Sequence, residues 1–424
     1  MALGPEEMKR RREKREADRK RRAAQKRRLR IRLLIAAVVL IGCGLLIFLL
    51  STKPKAPAKP EQTEPPETAA EQTAKETEAG PTTTVRIAFT GDLNVTDRVV
   101  AAGGGAYDYT NLFLSVAPIL ADADLAVVNL EGNLCGSPYG TSTSSAPQQL
   151  LDGLKNAGVD MIQLANSYSI SNGISGLQSS INAVYAAGME PLGVYADQAS
   201  FRASKGFTIR EVGGIEIAFV AFTKGMDGMA LPESNQDSVN VLYTDYDSTY
   251  QKVDTEGITE NLEDVERASP DITIALLHWG SEYNDTISES QEKILKLMKE
   301  NGVDVVVGTH PHYVQQMIFD RAAGTFMAYS LGDFCGDAER AGSEYSAIVE
   351  LEITKERASG TTKVSGWQYY PTFTVNERGQ PLRILRLQEG IAAYEERALD
   401  RVSQATYEKM LYALQRVEAR IKGE

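Results

Sequence analysis

The stretch GVDVVVGTHPHYVQQM, residues 302–317, runs from an apolar segment into two of the three histidines in the whole chain. A short run of β-branched residues such as 305–307 is typical of a buried strand. His310 and His312 follow this strand directly, and the proline between them stiffens the loop. Both rings are therefore expected at the carboxyl end of a strand, where α/β proteins bind their ligands.

The pattern of an apolar strand followed by a polar loop recurs along the chain. Strand patterns occupy residues 84–92, 123–133, 158–169, 189–195, 215–223 and 271–283. Helix-like stretches lie between them, at residues 141–158, 174–188 and 288–302. This alternation predicts a layered α/β domain. A section richer in strands follows at residues 324–387, and the tail from residue 389 has helical periodicity.

Polar residues mark the ends of the predicted strands. They are Asp92, Asn129, Glu131, Asn166, His278, His310 and His312. Carboxylates, amides and imidazoles together suit a borderline divalent cation such as Mn, Zn or Fe(II). Two such ions held close together polarise a phosphoryl group and generate a hydroxide nucleophile. The strand ends therefore predict a metal centre with one or two ions and a hydrolytic reaction.

Each of these residues, taken alone, also has a structural explanation. Asp92 could cap a helix, and Asn129 and Asn166 could stabilise turns. Glu131 could be a solvated loop residue, and His278 could be a packed core histidine. The functional interpretation is favoured because all three histidines of the chain fall at strand ends and none elsewhere.

Charge is distributed very unevenly along the chain. Residues 1–32 carry fifteen Lys and Arg against five acids, whereas the remainder holds 30 basic and 52 acidic residues, a net charge of −22. Residues 33–50 are apolar or small and uncharged, about long enough for a helix to cross a membrane. Because Lys and Arg resist translocation, we expect an uncleaved signal anchor, a cytoplasmic N-terminus and an extracytoplasmic main domain at the cell membrane. A cleaved signal peptide is the alternative.

The charge and composition of the remaining segments complete the predicted organisation. Residues 51–84 are rich in Pro, Thr, Glu and Ala, which predicts a disordered linker. The expected order is a basic cytoplasmic segment (1–32), a transmembrane anchor (33–50), this linker, a folded domain (85–388) and a C-terminal helix (389–424). Nucleic acid is not an expected partner, because an exported domain at −22 would repel phosphate backbones.

Six motifs in order resemble the CapA family of bacterial capsule and poly-γ-glutamate synthesis proteins. They are TGDLN (90–94), VNLEGN (128–133), LANSYSISNG (164–173), LLHWGSEY (276–283), GTHPHYVQ (308–315) and YSLGDF (329–334). The resemblance spans residues 85–375 and implies a four-layer α-β-β-α sandwich of calcineurin-like metallophosphoesterase type with a two-metal site. The metal ligands that it implies are Asp92, Glu131, Asn166, His278, His310 and His312.

The sequence departs from the family pattern where that pattern reads LANNH followed by Asp and Gly. Ser167 replaces the second Asn, an expected ligand, and Tyr168 replaces the His expected as general acid. Ser171 stands at the usual Asp, and Asp333 stands where the family has Asn. A tyrosine with a pKa of about 10 donates protons poorly at neutral pH. The resemblance leaves Tyr168 and His278 as the catalytic candidates of a centre that binds metal and works slowly or not at all.

Two functions follow from the resemblance. One is a membrane-anchored hydrolase or transfer factor that acts on a phosphoester or an envelope polymer. The other is an attenuated binding or scaffold subunit of the machinery that synthesises or exports capsule or poly-γ-glutamate, an anionic polymer. A soluble cytoplasmic phosphatase is opposed by the predicted anchor. The resemblance also puts Cys135 and Cys335 after motifs at one rim, so a disulfide between them is expected, with free thiols as the alternative.

Overall fold

The structure, a computed structural model, describes residues 81–424. The predicted basic segment, the predicted transmembrane anchor and residues 51–80 of the predicted linker lie outside the described residues. Within residues 81–424, no helix is both long and apolar enough to cross a membrane. The first strand begins at Thr82, three residues before the expected start of the folded domain.

The described residues form a mixed α/β fold with two sheets. The strands are β1 (Thr82–Asn94), β2 (Leu125–Glu131), β3 (Met161–Gln163), β4 (Glu190–Leu192), β5 (Thr208–Val212), β6 (Ile215–Thr223), β7 (Ile272–His278), β8 (Val305–Thr309), β9 (Met317–Asp320), β10 (Thr325–Ala328), β11 (Asp333–Cys335), β12 (Tyr345–Glu356), β13 (Thr362–Val375) and β14 (Arg383–Arg386). The helices are α1 (Asp97–Ala102), α2 (Thr110–Phe113), α3 (Ala117–Asp122), α4 (Gln149–Asn156), α5 (Gly173–Ala186), α6 (Gln198–Ser204), α7 (Thr255–Ala268), α8 (Glu289–Glu300), α9 (Leu387–Glu395) and α10 (Gln404–Lys422).

The first sheet is centred on β1. Its strand order is β14-β13-β12-β1-β2-β3-β4, and β11 pairs with the end of β1. Strands β1 to β4 run parallel, whereas β12 to β14 add antiparallel strands on the other side of β1. Every residue of β2 is buried. Its largely apolar sequence follows from this position, because parallel strands are covered on both faces.

The second sheet lies between the first sheet and a layer of helices. Its order is β5-β6-β7-β8-β10-β9, and β6, β7, β8 and β10 run parallel. Alternate residues of β6 pack in different cores, as the two-residue period of a strand requires. Ile217 and Phe219 belong to the large core that includes the first sheet. Ala218 and Val220 pack in a second core with α7 and α8.

The two outer helices form because their apolar spacing and their caps agree. In α7 the buried residues Ile258, Leu262 and Val265 fall on one face. Helix α8 begins with a capping box in which Ser288 and Gln291 each satisfy the other's backbone N–H. A cap of this kind contributes about 1 kcal/mol.

The C-terminal tail forms two helices rather than the single helix expected. The chain turns between α9 and α10 through Arg397 and Arg401, each with φ of +58°. Ser403 then caps α10 by accepting from the N–H of Thr406. Both helices bury apolar residues in the large core, for example Met410 of α10. The helical periodicity was therefore right in type, but it did not reveal the turn.

The strand-rich section predicted from residue 324 begins with a stretch, residues 324–334, that divides between the two sheets. Strand β10 pairs with β8 in the second sheet, whereas β11 pairs with β1 in the first. The chain crosses between them at Gly332, which has φ of +78°, a conformation that glycine adopts at no steric cost. This crossing brings the ends of strands from both sheets to one place.

The disulfide expected between Cys135 and Cys335 is not formed, and both thiols are free. Cys135 is exposed and lies 3.3 Å from the hydroxyl of Ser145. Cys335 is fully buried in β11. The structure therefore has the alternative, free thiols. Proximity of two motifs does not by itself fix the direction of their side chains, and a bridge requires Cβ atoms about 3.5–4.5 Å apart.

Candidate metal centre

The carboxyl ends of strands from both sheets meet at one edge of the domain. Asp92 of β1 and Asp333 of β11 are register partners in the first sheet. Glu131 is the last residue of β2, and His278 is the last residue of β7. The loop after β8 adds the other two histidines. All of these side chains are buried, so their polar atoms must find partners inside the protein.

Glu131, His278 and His310 form a first cluster, in which one ligand atom of each residue lies within 4.8 Å of the others. Nε2 of His278 is 3.0 Å from Nδ1 of His310 and 3.3 Å from Oε1 of Glu131. The hydroxyl of Ser167 is 3.1 Å from the same Nε2. No hydrogen bond reaches Oε1 of Glu131, although this atom is buried. A cation between these atoms would give it the partner that it lacks.

Asp92, His312 and Asp333 form a second cluster of the same kind. Nδ1 of His312 lies 2.7 Å from Oδ1 of Asp333 and 3.9 Å from Oδ2 of Asp92. The clusters are neighbours, since the ring centroids of His310 and His312 are 6.1 Å apart. Two adjacent clusters match the needs of a two-ion centre, whose ions lie about 3.5–4 Å apart.

Burial governs the protonation of the metal-free centre. It lowers the pKa of His278 and of His310 well below the ordinary value, so both rings are neutral at pH 7. It raises the pKa of Glu131 well above the ordinary value and that of Asp92 to about 6. A divalent cation binds imidazoles in their neutral form. It also favours the ionised form of carboxylates, so it would bind these two carboxyl groups deprotonated. The residues therefore fit a divalent metal.

His312 behaves in the opposite way. Burial alone would lower its pKa, but the carboxylates of Asp333, Glu131 and Asp92 outweigh burial and raise the pKa of His312 to about 11. Because the folded pKa is raised, the pairing contributes stability fully below pH 6.5, and this contribution is lost as pH rises towards 11. A metal ion bound at the second cluster has to displace this proton.

We expect the ring of His312 to be protonated at pH 7 in the metal-free protein, and the rings of the other two histidines to be neutral. Since the chain has three histidines, ring ¹H–¹⁵N NMR spectra resolve each one over a pH series. Asp333→Asn removes the nearest charge and should lower the pKa of His312 by about 1–3 units. The same change at the exposed Asp320 should leave it unchanged. A wild-type His312 that titrates near pH 6.5 would contradict this description.

The loop that carries two of the rings is held in a strained backbone conformation. His310 has φ of +90° and His312 has φ of +57°. Such conformations cost about 1–3 kcal/mol each and persist where the surroundings enforce them. The backbone N–H of His310 donates to Oδ2 of Asp92 at 2.9 Å. Strain held in place by a buried site residue is typical of functional sites.

Neighbouring polar and aromatic groups orient the ligands. Nδ2 of Asn129 donates to Oδ1 of Asp92 at 2.6 Å. The hydroxyl of Thr309 lies 3.2 Å from Nδ1 of His278. Tyr283 stacks on the histidine ring of the second cluster at a centroid distance of 4.8 Å. Partners of this kind fix ring orientation and tune ligand basicity.

Most of the predicted site residues come together in the structure. The residues in the two clusters include Asp92, Glu131, His278, His310 and His312. They share one property, which is that each stands at or just after the carboxyl end of a parallel strand. The strand-end pattern in the sequence therefore identified a real spatial group.

Asn166 and Tyr168 lie beside the two clusters, and the hydrogen bonds of Asn166 go to other residues. Nδ2 of Asn166 donates to Oδ1 of Asn129 at 3.1 Å and to the carbonyl of Leu130 at 2.7 Å. Its Oδ1 accepts from the N–H of Tyr168 at 3.0 Å. Tyr168 is 36% exposed, and burial together with nearby Glu131 raises the pKa of its hydroxyl. The ligand role of Asn166 and the acid role of Tyr168 stay predictions.

Two residues at the centre were not among the predicted ligands. Asp333 was noted only as a departure from the family pattern, yet it is the closest partner of His312. Ser167 was noted only as the replacement of an expected ligand, and its hydroxyl lies directly at the first cluster. The strand-end rule did not point to Asp333, because this residue begins β11 instead of following a strand.

A cavity of about 260 Å³ opens beside the first cluster. Ser167 and His310 line it from the centre, Lys224 and Asp227 from the segment after β6, and Glu282 from the loop after β7. A larger cavity of about 320 Å³ beside α10 contains none of the candidate ligands. The smaller cavity therefore offers room for a substrate directly beside the first cluster.

The chain is similar to proteins of capsule synthesis. The family model described as bacterial capsule synthesis protein PGA_cap matches residues 86–338. The capsule biosynthesis protein CapA of Bacillus anthracis is 27% identical over 217 residues, which are 51% of this chain and 49% of that protein. The PGA biosynthesis protein CapA of Bacillus subtilis (strain 168) is 23% identical over 253 residues, 58% of this chain and 62% of that protein. The chain thus spans less than two thirds of either relative.

The similarity of this chain to solved structures is weaker. The calcineurin-like phosphoesterase YfkN from Bacillus subtilis has a TM-score of 0.42 and 13% identity, over 80% of this chain and 97% of that chain. A phosphatase from Mycoplasma pneumoniae has a TM-score of 0.43 and 14% identity, over 69% and 94% of the two chains. Scores at this level carry no argument about function. The family match is different in kind, because it contains every residue of both clusters and covers more than half of the 424 residues. The chain therefore belongs to the bacterial capsule synthesis protein PGA_cap family.

Proposed function

We propose that this protein is a membrane-anchored accessory protein of capsule or poly-γ-glutamate synthesis or export, with an extracytoplasmic metal-dependent hydrolase domain. The domain would be an α-β-β-α sandwich of metallophosphoesterase type that acts on a phosphoester or an envelope polymer. The names of the relatives support the pathway. The observation that carries the enzymatic part is the convergence of two adjacent clusters of buried metal-binding side chains.

The centre would hold one divalent ion, Mn, Zn or Fe(II), in each cluster. The ligands would be Glu131, His278 and His310 for one ion, and Asp92, His312 and Asp333 for the other. Ions in such a site polarise a phosphoryl or acyl oxygen and lower the pKa of bound water. The protein supplies ligands fixed in place by strained backbone and hydrogen bonds, so little conformational reorganisation would oppose binding, although the proton of His312 has to be displaced.

Proton transfer to the leaving group is the weak part of this centre. Burial raises the pKa of Tyr168 above the ordinary tyrosine value, so its hydroxyl holds the proton tightly at pH 7. A general acid works best when its pKa lies near the working pH. We therefore expect Tyr168 to act as a slow acid at most, and the enzyme to have a low turnover.

The second candidate function is a binding or scaffold subunit of the same machinery. The observation that favours it is the pair Ser167 and Tyr168, which replaces a stronger ligand and a better proton donor with weaker ones. A centre of this kind would bind metal and polymer without cleaving the polymer. Bound metal without turnover would then be the natural state of the protein.

The location is part of the proposal. The basic residues 1–32 and the uncharged residues 33–50 support a single membrane crossing with the domain outside. The expected partners are the cell membrane, the synthesis or export proteins and the anionic polymer. Nucleic acid is not expected as a partner, because the residues after the basic segment carry a net charge of −22.

The test is hydrolysis by the full-length protein in detergent, on a phosphodiester and on poly-γ-glutamate, with Mn or Zn added. The proposal predicts metal-dependent turnover that falls by more than about 100-fold in His310→Ala. Tyr313→Phe, in the same loop but outside both clusters, should retain it. Polymer binding without any turnover would instead support the scaffold function.

A further inference from the structure

The cavity beside the first cluster contains a cation that the metal chemistry does not use. Lys224 follows β6, and its ammonium group donates to the carbonyl of Gly280 at 2.9 Å. An ammonium group has three donors, so two remain for a ligand. Among the described residues no carboxylate forms an ion pair with Lys224, and Glu282 acts on it only at longer range. A half-buried, unpaired cation facing a cavity is placed to bind an anion.

Contacts with residues 245–251 hold the segment that carries this lysine in place. The ring of Tyr250 lies 4.8 Å from Nζ of Lys224, and its hydroxyl accepts from the N–H of Gly228 at 3.1 Å. Asp245 stabilises the turn that contains Tyr250, because its carboxylate accepts from the N–H of Gln251 at 3.0 Å. The ammonium group is therefore positioned before any ligand arrives, which lowers the ordering cost of binding.

Two carboxylates line the same cavity. Asp227 and Glu282 are exposed on its wall, and neither forms an ion pair with a basic residue of residues 81–424. The charged side chains of the cavity would attract a simple anion such as phosphate with one charge and repel it with two. A group that carries both an anion and a cation complements all three charges. The volume of about 260 Å³ is below the range of drug-sized pockets, so it suits one residue rather than a polymer segment.

We infer that this cavity binds the amino-terminal residue of a γ-linked glutamyl chain, with its α-carboxylate on Lys224 and its α-ammonium on Asp227 and Glu282. The inference rests on the proposed function for the identity of the polymer. In a γ-linked chain every residue keeps a free α-carboxylate, but only the first keeps a free amine. The cavity thus selects a chain end, and it holds that end beside His310 of the metal centre.

The test measures binding of tri-γ-glutamate to the full-length protein by calorimetry, with and without Mn. Lys224→Met keeps the length of the side chain and removes its charge, and it should weaken binding at least about tenfold. Lys252→Met is the matched control, because Lys252 is exposed on the same segment and does not line the cavity; its affinity should stay within about twofold of wild type. Acetylation of the amine of the peptide should also weaken binding about tenfold.

Equal affinity of Lys224→Met and wild type would overturn the inference, and so would equal affinity for the free and the acetylated peptide. Metal content of each variant separates this inference from the proposed function. Wild-type protein that holds metal but does not bind the peptide would refute the inference alone. Protein that binds the peptide through Lys224 but holds no metal would refute the hydrolase and leave the inference standing.

Discussion

Tyr168→His is expected to speed metal-dependent hydrolysis by about 10²–10⁴-fold, the usual contribution of a well-matched general acid. The tyrosine is a poor acid at neutral pH because burial and the nearby Glu131 raise its pKa. A histidine has an ordinary pKa of about 6.5, close to the working pH. The position is 36% exposed, so the smaller ring enters without a packing conflict. Initial rates on a phosphodiester from pH 5 to 9 measure the effect.

Tyr168→Phe is the matched control for this gain. It removes the hydroxyl and keeps the ring, and it should slow the wild-type rate by less than about tenfold if the tyrosine contributes little proton transfer. The pH profile of Tyr168→His should fall at high pH, as the imidazolium loses its proton. If Tyr168→Phe were inactive while Tyr168→His gave no gain, the tyrosine would be the true acid and our description of this position would be wrong.

Gly91→Ala is expected to destabilise the domain by about 4 kcal/mol or more, which puts it among the most severe single substitutions. A Cβ atom at Gly91 would lie 1.8 Å from the carbonyl oxygen of Gly332. That carbonyl accepts from the N–H of Asp92 at 3.0 Å. The two segments of the chain therefore cannot separate without losing the pairing of β1 with β11. The change should lower the urea midpoint and displace Asp92 and Asp333 from the second cluster.

Gly105→Ala provides the matched control, because a Cβ atom there has nothing within 4 Å and the residue does not have a positive φ. It should change the free energy of unfolding by about 0.5 kcal/mol or less. Urea unfolding followed by tryptophan fluorescence measures both variants. Equal midpoints for the two variants would show that the close approach of β1 and the 331–332 segment does not limit stability.

The part of this molecule that could be predicted from sequence follows from one rule. Parallel strands end at a common edge, so polar residues that follow apolar runs meet there. That rule located Asp92, Glu131 and the three histidines. The apolar strand pattern also predicted β6, whose expected range of 215–223 is the range observed.

The features that could not be predicted depend on contacts between distant parts of the chain. Strand β11 leaves the second sheet and pairs with β1 in the first, and only this pairing makes Asp333 the partner of His312. The orientation of Cys135 and Cys335 likewise depends on the packing of separate segments, which motif order does not encode. The turn between the last two helices was signalled only weakly, by the capping residue Ser403.

Elemental mass spectrometry of the full-length protein, purified and then incubated with Mn or Zn, gives its metal content and so shows directly whether the two clusters bind metal. We expect one or two equivalents of divalent metal in wild type. We expect loss of at least one equivalent in His310→Ala, and no loss in Tyr313→Phe, which lies outside both clusters. Wild-type protein that retains no metal after this incubation, or a His310→Ala variant that retains all of it, would contradict the claim that these buried side chains form a metal centre.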